Sequence, residues 1–299
     1  MLHRAVTLLV VSITLLAFSP VRAEETTDIT DTVKEVFKVR PGGTLVVDID
    51  HGNISVRTDR GDEVRIELVR RVSSTSADEA KRLLERNAYS FEQRGNDVEI
   101  RSRLDGDGSF WSRRGRDRLR VSLEVVVPEE YSVDFTTGAG NVTLGDIGGQ
   151  VEGRTGAGNL KLGAVHGEVH VSSGSGNIDI RGARGAARIS TAAGNVHIEN
   201  LAESVEVRTG AGNITANLTE QPASESSLET GAGNVTVYVG SRVGANVDAT
   251  AALGAASTDF PLSVEGKWMS KSFAGDINGG GPAIRMKAGV GNVSLKRLP

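Results

Sequence analysis

The sequence predicts an all-β protein, a single-stranded β-solenoid with about 18 residues per coil. Three observations predict it. A four-residue phrase recurs at 138–141, 156–159, 174–177, 192–195, 210–213 and 231–234, reading GAGN, GAGN, GSGN, AAGN, GAGN and GAGN. Its asparagines Asn141, Asn159, Asn177, Asn195 and Asn213 stand 18 residues apart, and Asn234 follows after 21. Between the phrases apolar residues alternate at strand period, and nothing recurs at helical period. A short fixed period belongs to a stack in which each repeat contacts its neighbours.

Counted from Asn as zero, positions one and three are apolar: Val142/Leu144, Leu160/Leu162, Ile178/Ile180, Val196/Ile198 and Ile214/Ala216. Position six is Ile147, Val165, Ala183 and Leu201, and position ten is Val151, Val169, Ala187 and Val205. Position twelve reads Gly153, Val171, Ile189, Val207, and position fourteen Thr155, Ser173, Thr191, Thr209. Each repeat therefore predicts two short strands, one leaving the Asn and one spanning positions ten to fourteen. The phrase between them needs a tight turn, which glycine enters freely and asparagine tolerates next best. The Asn amides can bond backbone or the Asn one coil away, and the position-fourteen hydroxyls predict a second ladder. Calcium turns of the nonapeptide type need Asp, which these turns lack, so no metal is expected.

Residues 1–23 carry a basic start, an apolar run from Ala5 to Phe18 and a small-x-small site at Val21-Arg22-Ala23, the pattern of a cleaved signal peptide. Export to the periplasm or beyond the cell is expected. No later apolar run has spanning length. There is no cysteine, hence no disulfide and no lipid anchor through one. The net charge of −4, about −6 after loss of Arg4 and Arg22, disfavours nucleic acid as a partner.

Residues 24–35 are polar and acidic and read as a flexible leader to a solenoid domain over 36–299. In GTLVVDIDHGNISVRT, with Asn53 as zero, Leu45, Val47 and Ile49 take positions ten to fourteen, and Ile54 and Val56 take one and three. Residues 59–130 interrupt the repeat and read as a lid over the N-terminal end. The insert predicts a helix over 76–90 opened by a Ser76/Glu79 capping box, a hairpin about Arg94-Gly95-Asn96, and a basic loop over 101–120. Regular repeats fill 131–240, with a bulge at Pro222. The template degenerates over 241–299, where Phe260, Trp268 and Phe273 gather, and returns at GVGN 289–292 with Asn292.

The opening coil with its DHGN turn, the helix, the GAGN array and the closing GDINGGGPAIRMKAGVGNVSL together resemble the bacterial β-strand-repeat family of unknown function labelled putative adhesin. The resemblance implies an exported envelope protein with a right-handed β-helix. It brings no catalytic residues and no cofactor.

His166 and His170 are four apart, but on strand and turn this spacing does not assemble a metal site. No nucleophile elbow or phosphate loop occurs. Outward position two (Thr143, Lys161, Asp179, His197, Thr215) and position eleven (Glu152, His170, Arg188, Glu206) mix signs, as stabilising charge ladders do. The basic loop holds seven arginines against three aspartates around Phe110 and Trp111. Phe110, Trp111, Arg113 and Arg114 are the candidate contacts for an anionic lipid or another acidic envelope polymer. The expected function is non-enzymatic binding or scaffolding at the envelope. The alternative is a carbohydrate-active β-helix, a polysaccharide lyase or hydrolase.

Overall fold

The computed structural model describes residues 27–74, 76–104, 119–266 and 270–299. Within them the elements run β1 Thr27–Lys38, β2 Thr44–Ile49, β3 Asn53–Asp59, β4 Glu63–Ser74, α1 Ala77–Arg86, β5 Asn87–Arg94, β6 Asp97–Leu104, β7 Leu119–Pro128, β8 Ser132–Ala139 and β9 Val142–Leu144. The array continues with β10 Val151–Ala157, β11 Leu160–Val165, β12 Val169–Ser175, β13 Ile178–Ala183, β14 Ala187–Ala193, β15 Val196–Leu201, β16 Val205–Ala211 and β17 Ile214–Leu218. It closes with β18 Ser226–Ala232, β19 Val235–Val239, β20 Ala245–Leu253, β21 Ala256–Thr258, β22 Lys271–Ile277, β23 Ala283–Val290 and β24 Val293–Arg297.

Each coil places one strand in each of two sheets. The first sheet runs β1-β4-β7-β3-β9-β11-β13-β15-β17-β19-β24-β21, and the second β22-β20-β23-β18-β16-β14-β12-β10-β8-β2-β6-β5. Strands of successive repeats pair in parallel, Val151 with Val169 and Val169 with Ala187. The apolar positions of every coil point between the sheets, where Val142, Leu160, Ile178, Val196 and Ile214 are at most 1% exposed. Position twelve is not uniform for a packing reason. A Cβ on Gly153 would lie 2.0 Å from the Phe135 ring, so the glycine makes room for that ring.

The turns explain the repeated phrase. The glycine before each Asn has positive φ, 144° at Gly158, and a Cβ there would lie 2.0 Å from the Gly140 carbonyl oxygen one coil away. Both the backbone angle and the stacking distance therefore demand glycine. The position-fourteen hydroxyls do not form the expected ladder. Ser173, Thr191 and Thr209 donate to the Gly158, Gly176 and Gly194 carbonyls at 3.3, 3.2 and 3.0 Å, satisfying turn oxygens of the adjacent coil.

The ends depart from chain order. The opening coil, β2 with β3, lies inside the stack, between β8/β9 and a coil made of β6 and β7. At the other end β23 and β24 slot between β18/β19 and β20/β21, so the last coil in sequence is not the last in space. The insert caps the N-terminal end by lengthening both sheets, β4 antiparallel on the first, where β1 follows it, and β5 antiparallel on the second. Residues 27–35, expected as flexible leader, belong to strand β1. Ile29, Val33 and Phe37 lie on one side of it, half-buried against the core.

The helix is shorter than 76–90. It ends at Arg86 because Asn87 caps it, donating its backbone N–H to Leu84. Buried Arg70 donates to the Leu84 and Asn87 carbonyls at 2.9 and 2.8 Å, so the last turn is closed by a cation. Residues 87–94 then form β5, antiparallel to β6. At the front of the helix Ser76 Oγ accepts from Glu79 N. Ala80 and Leu83 are buried, and the helix plugs the space between the sheets against β4, β1 and β5.

Candidate binding face

The asparagines stand in one column at the corner where the chain passes from the second sheet to the first. Asn53 Oδ1 accepts from Asn141 N at 3.0 Å, and Asn141, Asn159, Asn177, Asn195 and Asn213 each accept from the next Asn N at 2.9 Å. Asn234 accepts from Asn292 N at 2.9 Å, and Asn292 from Ala255 N at 2.8 Å. Each amide oxygen thus satisfies a backbone donor that the turn leaves open. This column holds the stack together and offers little to a ligand.

Phe110, Trp111, Arg113 and Arg114 lie outside the described residues. The proposed basic loop is narrower than 101–120, since 101–104 and 119–120 are strand. Two of its arginines are committed within the sheet. Arg101 pairs with Glu99, and Arg103 with Asp48 and, at 3.3 Å, Asp50.

The outward side of the second sheet carries the richest chemistry among the described residues. Parallel pairing sets Glu152, His170, Arg188 and Glu206 side by side in position eleven, and Arg154, Ser172, Ser190 and Arg208 in position thirteen. Arg188 Nε meets Glu206 at 2.9 Å, Arg208 pairs with the same carboxylate and approaches Glu229 at 3.9 Å, and Arg154 stands 3.8 Å from Glu152. The hydrogen bond from Arg188, with further help from Arg208 and His170, holds the Glu206 carboxyl below its usual range. Asp134, one coil beyond Glu152, moves the other way. Partial burial raises it, and the Glu152 charge raises it further.

Three open depressions adjoin on this face. One of about 240 Å³ lies over Ser172, Ser190 and Gly153, walled by Arg154, Arg188, Arg208 and His170. One of about 610 Å³ continues toward the glycine corner past Thr191, Glu229 and Lys287. One of about 620 Å³ continues the other way past Glu225 and Arg285. In the sequence, the spacing from each Asn marks out position thirteen. Its two serines between two arginines are the signal for the smallest depression. His166 and His170 are both exposed, and the described residues contain no group of three His, Cys, Asp or Glu able to hold a metal. The Tyr131 hydroxyl, pushed up to about 12 by burial and by Asp97, donates to the Asn96 carbonyl and anchors the hairpin turn.

The family model of Toastrack DUF4097 matches residues 44–296. The chain belongs to the Toastrack DUF4097 family. That family is bacterial and of unknown function. The span includes both sheets and the out-of-order coils at each end. Among solved structures, a putative adhesin from Bacteroides fragilis is similar at 14% identity and a TM-score of 0.48, covering 90% of this chain and 97% of that one. A putative cell adhesion protein from Clostridium sporogenes is similar at 16% identity and 0.28, covering 90% and 100%. A putative lipid binding protein from Parabacteroides distasonis is similar at 11% identity and 0.37, covering 90% and 97%. No curated protein matches the chain. No helix among the described residues is long and apolar enough to cross a membrane.

Proposed function

We propose that this chain is an exported, non-enzymatic scaffold of the bacterial cell envelope, wound as a single-stranded, right-handed solenoid, and that it binds a partner through the outward side of its second sheet. One observation carries this reading: adjoining depressions run from Glu152 to Lys287 across several coils, lined by charged and hydroxyl side chains. Stacking needs the inward positions and the glycine corner, so the composition of this face is set by other demands. The depressions follow one another over successive coils, which suits an extended partner better than a small substrate held for chemistry. The Phe110, Trp111, Arg113 and Arg114 stretch is a second proposed contact, on composition alone.

The test compares the two faces. Mature protein is incubated with envelope extract as wild type, as Arg208→Ser/Arg285→Ser/Lys287→Ser on the second sheet, and as Lys161→Ser/Arg181→Ser/Lys296→Ser on the first. The expected result is loss of most retained material with the second-sheet variant alone. Equal retention by all three overturns the choice of face.

A further inference from the structure

We infer that the depression over Ser172 and Ser190 is a subsite for the carboxylate of an acidic polysaccharide laid along the second sheet, an inference that rests on the binding face proposed above. The floor comes from a gap in a row of side chains. In position thirteen Arg154 and Arg208 stand three coils apart, about 14 Å at the usual spacing between strands. The two residues between them are serines, whose short side chains leave a recess with two hydroxyls at its base. His170 and Arg188 form one wall.

The charge balance favours an anion. Three arginines face the recess against two glutamates, on a chain whose net charge is −4. Glu206 is shared, bound by Arg188 at 2.9 Å and by Arg208, which also approaches Glu229 at 3.9 Å. Each guanidinium has five N–H donors in a planar fork, more than these contacts occupy. Arg154 is held more loosely, 3.8 Å from Glu152, with its side chain 74% exposed. A carboxylate entering the recess would meet these donors together with two hydroxyls, which accept or donate as required.

The partner is a polymer rather than a lone ion because the recess opens at both sides into depressions of about 610 and 620 Å³. Arg208 and Glu206 line the route on one side with Arg285 and Glu225, and Arg208 and Lys287 line it on the other. Hydroxyls and charges along that route suit the hydroxyls of successive sugar units. A membrane surface fits less well. The exposed large hydrophobic residues among those described are Val36, Tyr89, Leu253, Val264 and Val290; Leu253 and Val290 pair at the corner edge of this sheet, but none lines these depressions, so the recess itself offers no apolar anchor to insert.

The experiment uses the mature full chain and three probes: polygalacturonate, neutral dextran, and vesicles of phosphatidylglycerol in phosphatidylcholine. Ser172→Leu/Ser190→Leu fills the recess and leaves every charge in place. Arg154→Ala/Arg208→Ala removes its ends and guards against misfolding of the filled variant. The wild type is expected to bind polygalacturonate and not dextran, with affinity falling as salt rises. Both variants are expected to lose at least about ten-fold. Wild-type binding retained in both variants overturns the subsite while leaving the face itself open to the extract test above. Absence of wild-type binding to polygalacturonate, or binding to the vesicles alone, overturns the acidic-glycan assignment even if envelope material is still retained through this face.

Discussion

The two outer faces of the solenoid are written by the same repeat and come out differently. On the first sheet position two reads Thr143, Lys161, Asp179, His197, Thr215, flanked by Ser55, Thr236 and Ser294, and the row continues beyond Ser55 through Glu124, Glu67 and Lys34. On the second sheet positions eleven and thirteen carry Glu152, Arg154, His170, Arg188, Glu206, Arg208, Glu229, Arg285 and Lys287, linked into ion pairs and recessed at Ser172 and Ser190. The inward sides of both sheets are mainly Val, Ile and Leu in register, and the second adds a buried row of Thr and Ser at position fourteen. The difference teaches where selection by folding ends. Stacking dictates every second residue and the turn, and the two faces differ at the outward positions that this demand leaves free.

The comparison breaks first if inward and outward have been misassigned. Val196 is 1% exposed and its neighbour His197 points away from the core. Val196→Asp should cost roughly 3 kcal/mol or more by placing an unpaired charge between the sheets. His197→Ala should cost roughly 0.5 kcal/mol or less. Denaturant melts check both, and equal losses would reverse the faces. A smaller effect sharpens the corner that the two faces share. Asn177 Oδ1 accepts from Asn195 N at 2.9 Å and from Asn195 Nδ2 at 3.2 Å, so Asn177→Ala should cost about 1 kcal/mol in the same melts.

The smallest effects are titrations on the second sheet. Glu206 has its folded pKa lowered, first by the Arg188 hydrogen bond. Its ionised form therefore favours the fold above the ordinary carboxylate range, and that contribution is lost as pH falls through the lowered folded value. Asp134 has its folded pKa raised by burial and by Glu152, so its charge opposes the fold at neutral pH and ceases to do so once acid has protonated it in both states. Glu206→Gln should lower the melting temperature slightly at neutral pH, and Asp134→Asn should raise it slightly. Both differences should vanish in strong acid. Melting curves across pH check the two signs together.

Most of the array was legible because its rules are local. The spacing of the asparagines gives the coil length, alternation gives the inward residues, and Gly-x-Gly-Asn gives the turn, each within one repeat. The ends were not legible. Nothing between Ala283 and Arg297 states that these strands enter between β19 and β21 rather than after them, because parallel edges of similar template accept one another. The spacing of Ile29, Val33 and Phe37 is also visible, but the acidic residues around them mask a strand whose partner, β4, lies beyond β2 and β3. The helix overran because Asn87 is a cap by virtue of Ser102 and Arg103, which meet its amide from another strand at 3.1 and 3.3 Å. The recess was half visible. Position thirteen could be read from the sequence, whereas the sharing of Glu206 by two arginines requires neighbouring coils to be in register.

A partner is proposed to meet the second sheet and not the first. The chain has no cysteine, so a single one introduced at Ser190 or at Thr215 is a unique attachment point for a photo-crosslinker on one face or the other. Illumination in envelope extract should give an adduct from Ser190→Cys and none from Thr215→Cys. An adduct from Thr215→Cys alone, or equal adducts from both, would contradict the account.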